Sequence, residues 1–166
     1  MFVSKLGEKG KVVSKTLHIA TVGEEIELTT AGIRNFPSHK LVLICFAKHK
    51  EIADKLSNDF ERVLQIPVDT YLVFDEMRPH EEMLKIMAEI LQKDGKNFQD
   101  VVFNVGGGDK FLTCAAVASA FINGLKAFHC VGDVCVMLPV LKLSYQEILS
   151  EAKLNILRAI DKEGGE

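Results

Sequence analysis

The residues best suited to chemistry lie between Asn104 and Lys110, where Asn104-Val105 runs into three consecutive glycines, Gly106, Gly107 and Gly108, and then Asp109-Lys110. The apolar, β-branched run Val101 to Val105 has the length of a buried strand. Small and apolar residues without Gly or Pro follow from Phe111 to Asn123, which predicts a helix. A strand that turns through glycines into a helix leaves backbone N–H groups at the positive end of the helix dipole. Such a bend suits an anion, usually a phosphate. Residues without Cβ also leave room for a ligand and permit φ > 0. The plainer alternative is a tight strand-to-helix turn with Asp109 as its N-cap, and the two readings are compatible. The spacing is neither that of a P-loop nor Gly-x-Gly-x-x-Gly, so a nicotinamide cofactor is poorly supported.

Other reactive side chains show less organisation. The five histidines (His18, His39, His49, His80, His129) have no metal-ligand spacing. His18 and His129 fall on strand patterns and read as core residues, while His49 and His80 stand near strand ends, where they could face the site. The four cysteines (Cys45, Cys114, Cys130, Cys135) also lack metal-type spacing, and neither a metal nor a cofactor is expected. Cys130 and Cys135 flank Gly132-Asp133 symmetrically, which makes them a cross-strand pair, either disulfide-bonded or, as a reducing compartment favours, two packed thiols.

These residues must be positioned by a fold, and 166 residues suffice for one domain with its own core. A net charge of −3 gives no general attraction to nucleic acid, so a polyanion would need a local site. No apolar run reaches membrane-spanning length and the N-terminus lacks a signal-peptide core, so a cytoplasmic protein is expected.

Strands are predicted over residues 15–22, 40–47, 68–74 and 101–105. Helices follow them from Glu24-Glu25 to Asn35, over 48–65, from Pro79 to about Lys93, and over 111–123. Leu125 to Val131 and Val134 to Leu138 form a hairpin around Gly132-Asp133, a pair suited to a II′ turn. Ser144-Tyr145-Gln146-Glu147 resembles a capping box opening a last amphipathic helix. Residues 1–14 read as a tail or extra strand, 15–143 as the domain and 144–166 as the C-terminal helix. This alternation predicts an α/β, three-layer Rossmann-like fold with a mainly parallel sheet, a C-terminal β-hairpin and a final helix. In the strand order 3-2-1-4, ligands sit at the carboxyl ends of strands one and four, between the loops 22–26 and 106–110.

The run Asn104-Val105-Gly106-Gly107-Gly108-Asp109-Lys110, the small-residue helix after it and the hairpin closing on Leu138-Pro139 resemble a CARF (CRISPR-associated Rossmann fold) domain. The similarity covers Thr16 to about Leu143, and its specific motif is the Asn-x-x-Gly-Gly-x-Lys-like turn. The resemblance implies a homodimer that binds a cyclic oligoadenylate second messenger, or a related nucleotide, across the two-fold axis. It assigns Asn104, Gly106, Gly107, Gly108, Asp109 and Lys110 to one side of the ligand and Thr21, Val22, Gly23 and Glu24 to the facing loop.

Two alternatives accompany that expectation. One is a metal-independent ring nuclease in which Lys110 is catalytic, with Thr21 or Asn104 orienting a ribose. The other is a ligand-free dimerisation or regulatory domain of a transcription factor. Arg34 and His39 match the spacing of a HEPN ribonuclease motif, but a helix end and Pro37 separate them, so the match is read as chance. No direct DNA binding and no membrane partner are expected from this chain alone.

Overall fold

The computed structural model describes residues 14–139, together with Asn155, Ile156 and Arg158, which have helical backbone. The expected N-terminal tail and most of the final helix therefore lie outside the described residues.

Six strands form one sheet in the order β3-β2-β1-β4-β5-β6. They are β1 (Thr16–Val22), β2 (Lys40–Phe46), β3 (Val68–Val73), β4 (Asp100–Asn104), β5 (Lys126–Val131) and β6 (Val134–Met137). The first five run parallel, and β6 returns antiparallel to β5. Strands β1 and β2 lie in the interior of the sheet because their side chains can be buried on both faces. All seven residues of β1 and six of the seven in β2 are buried.

Four α-helices cover the sheet: α1 (Ile26–Asn35), α2 (Lys50–Leu64), α3 (Pro79–Lys93) and α4 (Lys110–Asn123). The strand period of two divides the sheet's side chains between two cores. Ile19, Val42, Ile44 and Phe103 pack with Met83, Met87 and Ile90 of α3 and with Leu112 and Ala116 of α4. On the opposite face Ala20, Leu41, Leu43 and Cys45 pack with Ala53 and Leu56 of α2. Ala31 of α1 meets Val102, Phe128 and Cys130 on that side. The three-layer Rossmann-like arrangement is thus as expected, including the pairing of β1 with β4.

Local signals explain most boundaries. Pro79 opens α3, where its missing N–H is harmless, and Gly124 in the left-handed region ends α4. Gly132 has φ +58 while Asp133 keeps a negative φ, as a II′ turn requires. One boundary and one bond differ from expectation. The helix expected from residue 48 begins as a single 3-10 turn, Ala47–His49, before α2. Cys130 and Cys135 pair in register as expected, but they are joined as a disulfide and are not two packed thiols.

Arg34 pairs with Asp133 at the hairpin, while His39 accepts a hydrogen bond from the Thr16 amide. The two residues of the HEPN-like spacing therefore serve unrelated local contacts. Among the described residues, no helix is long and apolar enough to cross a membrane.

Candidate functional site

The carboxyl ends of β1, β2 and β4 meet at a cleft of about 410 Å³ lined by Glu24, Glu25, Leu28, Lys48, His49 and the bend Gly106 to Asp109. It lies where the strand order reverses, between β1 and β4. Of the residues expected at a site, Glu24, Gly106, Gly107, Gly108 and Asp109 line it. Thr21, Val22 and Asn104 are buried beneath it, Gly23 is buried outside its lining, and Lys110 is exposed outside its lining.

The bend is built differently from the expected row of free amides. Gly106 donates its N–H to Oδ1 of Asn104 at 3.2 Å. Gly107 and Gly108 both donate to Thr21 Oγ1, at 3.1 and 3.0 Å. The Thr21 hydroxyl in turn donates to the Asn104 carbonyl at 3.3 Å. Asn104 completes the lock by donating from Nδ2 to the Leu28 carbonyl at 3.0 Å. All three glycine amides are thereby satisfied inside the protein, which corrects the expectation that they stand open to an anion.

The glycines have a packing reason instead. None of Gly106, Gly107 and Gly108 uses a positive φ. A Cβ on Gly107 would strike the Thr21 carbonyl oxygen and the Thr29 hydroxyl. One on Gly106 would come within 3.0 Å of the His129 Cβ, and one on Gly108 within 2.9 Å of the Leu112 side chain. The facing loop touches the bend through its backbone, since a Cβ on Gly23 would lie 2.8 Å from the Gly107 carbonyl oxygen. The missing side chains would have pointed into the protein, not into the cleft.

Asp109 is the N-cap of α4, as the plainer sequence alternative had it. Its Oδ1 accepts from the Phe111 and Leu112 amides, both at 3.1 Å. Its Oδ2 lies 3.6 Å from Lys48 Nζ. Lys48 also donates to Glu76 Oε2 at 2.6 Å, and this bond holds the ammonium above its ordinary range. Lys48 was missed at the sequence level, whereas His49 is read there as a residue near a strand end that could face the site. They come from the turn after β2, and only the strand order brings that turn beside the bend.

Among the described lining residues, three carboxylates (Glu24, Glu25, Asp109) face one lysine and one histidine. Such a lining offers one fixed cation for an anion and several acceptors for amino and hydroxyl groups. No group of three or more His, Cys, Asp and Glu side chains among the described residues could hold a metal ion.

No known family's sequence profile matches the chain. An uncharacterized protein of Archaeoglobus fulgidus is 24% identical over 155 residues, covering 93% of this chain and 66% of that protein. Can2 from Sulfobacillus thermosulfidooxidans, solved with cyclic tetra-adenylate, superposes with a TM-score of 0.57 at 17% identity, covering 68% of this chain and 31% of Can2. A type III CRISPR defence DNA nuclease activated by cyclic oligoadenylate superposes with a TM-score of 0.63 at 16% identity, covering 87% of this chain and 23% of the nuclease. Csm6 of Enterococcus italicus, bound to a cyclic hexanucleotide analogue, gives a TM-score of 0.56 at 11% identity, covering 92% of this chain and 41% of Csm6. The chain spans less than half the length of each of these three solved proteins. At such identities the likeness establishes the fold, and that fold is the one the resemblance to CARF domains implied.

Proposed function

We propose that this chain is a sensor domain that binds a cyclic oligoadenylate in the cleft at the carboxyl ends of β1, β2 and β4. The observation that carries the reading is the cleft's place at the strand-order reversal of a fold shared with three proteins that bind or respond to cyclic oligonucleotides. A cleft of 410 Å³ lies in the range that encloses one drug-sized ligand. A ring of several nucleotides is larger than that, so we assign it two clefts facing each other across a homodimer axis. A ligand with its own rotational symmetry suits an isologous interface, in which each protomer supplies the same half-site.

Incubation with cyclic tetra-adenylate and cyclic hexa-adenylate, followed by separation of bound and free nucleotide, tests the proposal. Retention of an intact ring by a dimer supports a sensor. Linear products would favour the ring-nuclease alternative, and the absence of any interaction would leave a dimerisation or regulatory domain.

A further inference from the structure

We propose that Lys48 is the residue that meets a phosphate of the bound nucleotide, leaving its carboxylate partners to do so. The inference rests on the nucleotide-binding reading above and moves the expected cationic contact from Lys110 to Lys48.

Among the described residues lining the cleft, Lys48 is the one group with a fixed positive charge. Lys110, the lysine of the glycine bend, is exposed on the first turn of α4 and takes no part in the lining. The three glycine amides cannot stand in for a cation, because Asn104 and Thr21 already accept their N–H groups. A phosphate entering the cleft would therefore find its charge partner on the β2 side.

The way Lys48 is held makes an exchange feasible. Its ammonium joins three loops, since Lys48 follows β2, Glu76 follows β3 and Asp109 follows β4. Both contacts are partly solvated, with Lys48 at 47% side-chain exposure, and ion pairs in that setting hold weakly. Asp109 divides its oxygens between two tasks: Oδ1 caps α4, and Oδ2 approaches Lys48 at the longer distance. Losing Lys48 therefore leaves the helix cap intact. The neighbouring Lys50 is occupied with Asp54 and does not line the cleft. Glu76 and Asp109 thus act as competitors of the ligand, and removing one of their charges should tighten binding.

The test measures binding of labelled cyclic tetra-adenylate and cyclic hexa-adenylate to the wild-type chain and to Lys48→Ala, Lys48→Arg, Lys110→Ala and Glu76→Gln. Expected are a loss of roughly tenfold or more for Lys48→Ala, partial retention by Lys48→Arg and little change for Lys110→Ala. Glu76→Gln should bind roughly two- to fivefold more tightly. Thermal melts of each variant report whether it is folded.

A second measurement follows acetylation of Lys48 by an amine-reactive reagent, read by mass spectrometry, with and without inorganic pyrophosphate. Rings bound equally by wild type and Lys48→Ala would overturn this inference and leave the sensor reading standing. Rings that fail to bind while pyrophosphate protects Lys48 would overturn the sensor reading and leave Lys48 as an anion contact. If rings do not bind and pyrophosphate gives no protection, both fall.

Discussion

The hydroxyl oxygen of Thr21 lies 3.0 Å from the amide nitrogen of Gly108 and accepts its hydrogen, joining the end of β1 to the bend after β4 across 87 positions of sequence. The same oxygen takes the Gly107 amide, so one buried side chain determines how the bend is aimed. Thr21→Val keeps the shape and removes the acceptor, leaving two amides unpaired. The expected destabilisation is about 3 kcal/mol, against about 1 kcal/mol for Thr21→Ser. Urea unfolding of the two variants checks this, and equal losses would show that the hydroxyl is not what matters.

Gly107 is expected to tolerate no side chain. Alanine there would push against the Thr21 carbonyl and the Thr29 hydroxyl, at a cost of about 3 kcal/mol. Gly132 offers the contrast, because a Cβ at that position meets nothing within 4 Å and Gly132→Ala carries only the left-handed backbone penalty, about 1 kcal/mol. Denaturation midpoints of the two variants should rank in that order. A Gly107→Ala protein as stable as wild type would contradict the packing described for the bend.

His18 is expected to make stability depend on pH. Its ring is fully buried against Phe128, with Nδ1 3.0 Å from Ser38 Oγ and no partner at Nε2 among the described residues. Burial lowers its pKa from 6.5 to about 4. Above 6.5 the ring is neutral in both folded and unfolded chains and contributes nothing. As pH falls from 6.5 towards 4 the unfolded chain takes up a proton that the folded one refuses. Stability should drop by about 3 kcal/mol through that window. Unfolding free energies of wild type and His18→Gln across the same range test this, since parallel curves would mean that another group is responsible.

The hairpin disulfide gives a countable prediction. With Cys130 joined to Cys135, only Cys45 and Cys114 remain as thiols, so a thiol assay in denaturant should find two before reduction and four after. Because the bond closes a short loop, its reduction should lower stability by only about 2 kcal/mol. Four thiols in the untreated protein would show that the pair is not oxidised.

These features differ in how far the sequence reveals them. Strand β2 is legible because Leu41 to Phe46 is a continuous apolar run, and α3 because Pro79 and an apolar period mark it locally. The bend from Gly106 to Gly108 stands out in the same way, and it does border the cleft. Its wiring does not stand out, because Thr21 and Leu28 reach it from far away in the chain and nothing in Gly-Gly-Gly tells a packed bend from an open one. Lys48 is equally silent, as one of several charged residues between Lys48 and Glu51. The register of Cys130 against Cys135 could be read from the hairpin, whereas their oxidation state could not.

The account as a whole is tested most directly by following the backbone amide resonances of the isotopically labelled protein while cyclic tetra-adenylate and then cyclic hexa-adenylate are added. The predicted result is saturable shifts concentrated at Glu24, Glu25, Lys48, His49 and Gly106 to Asp109, the residues around the cleft. Spectra unchanged by either ring, or shifts confined to the far end of the sheet around Lys40 and Asp94, would contradict it.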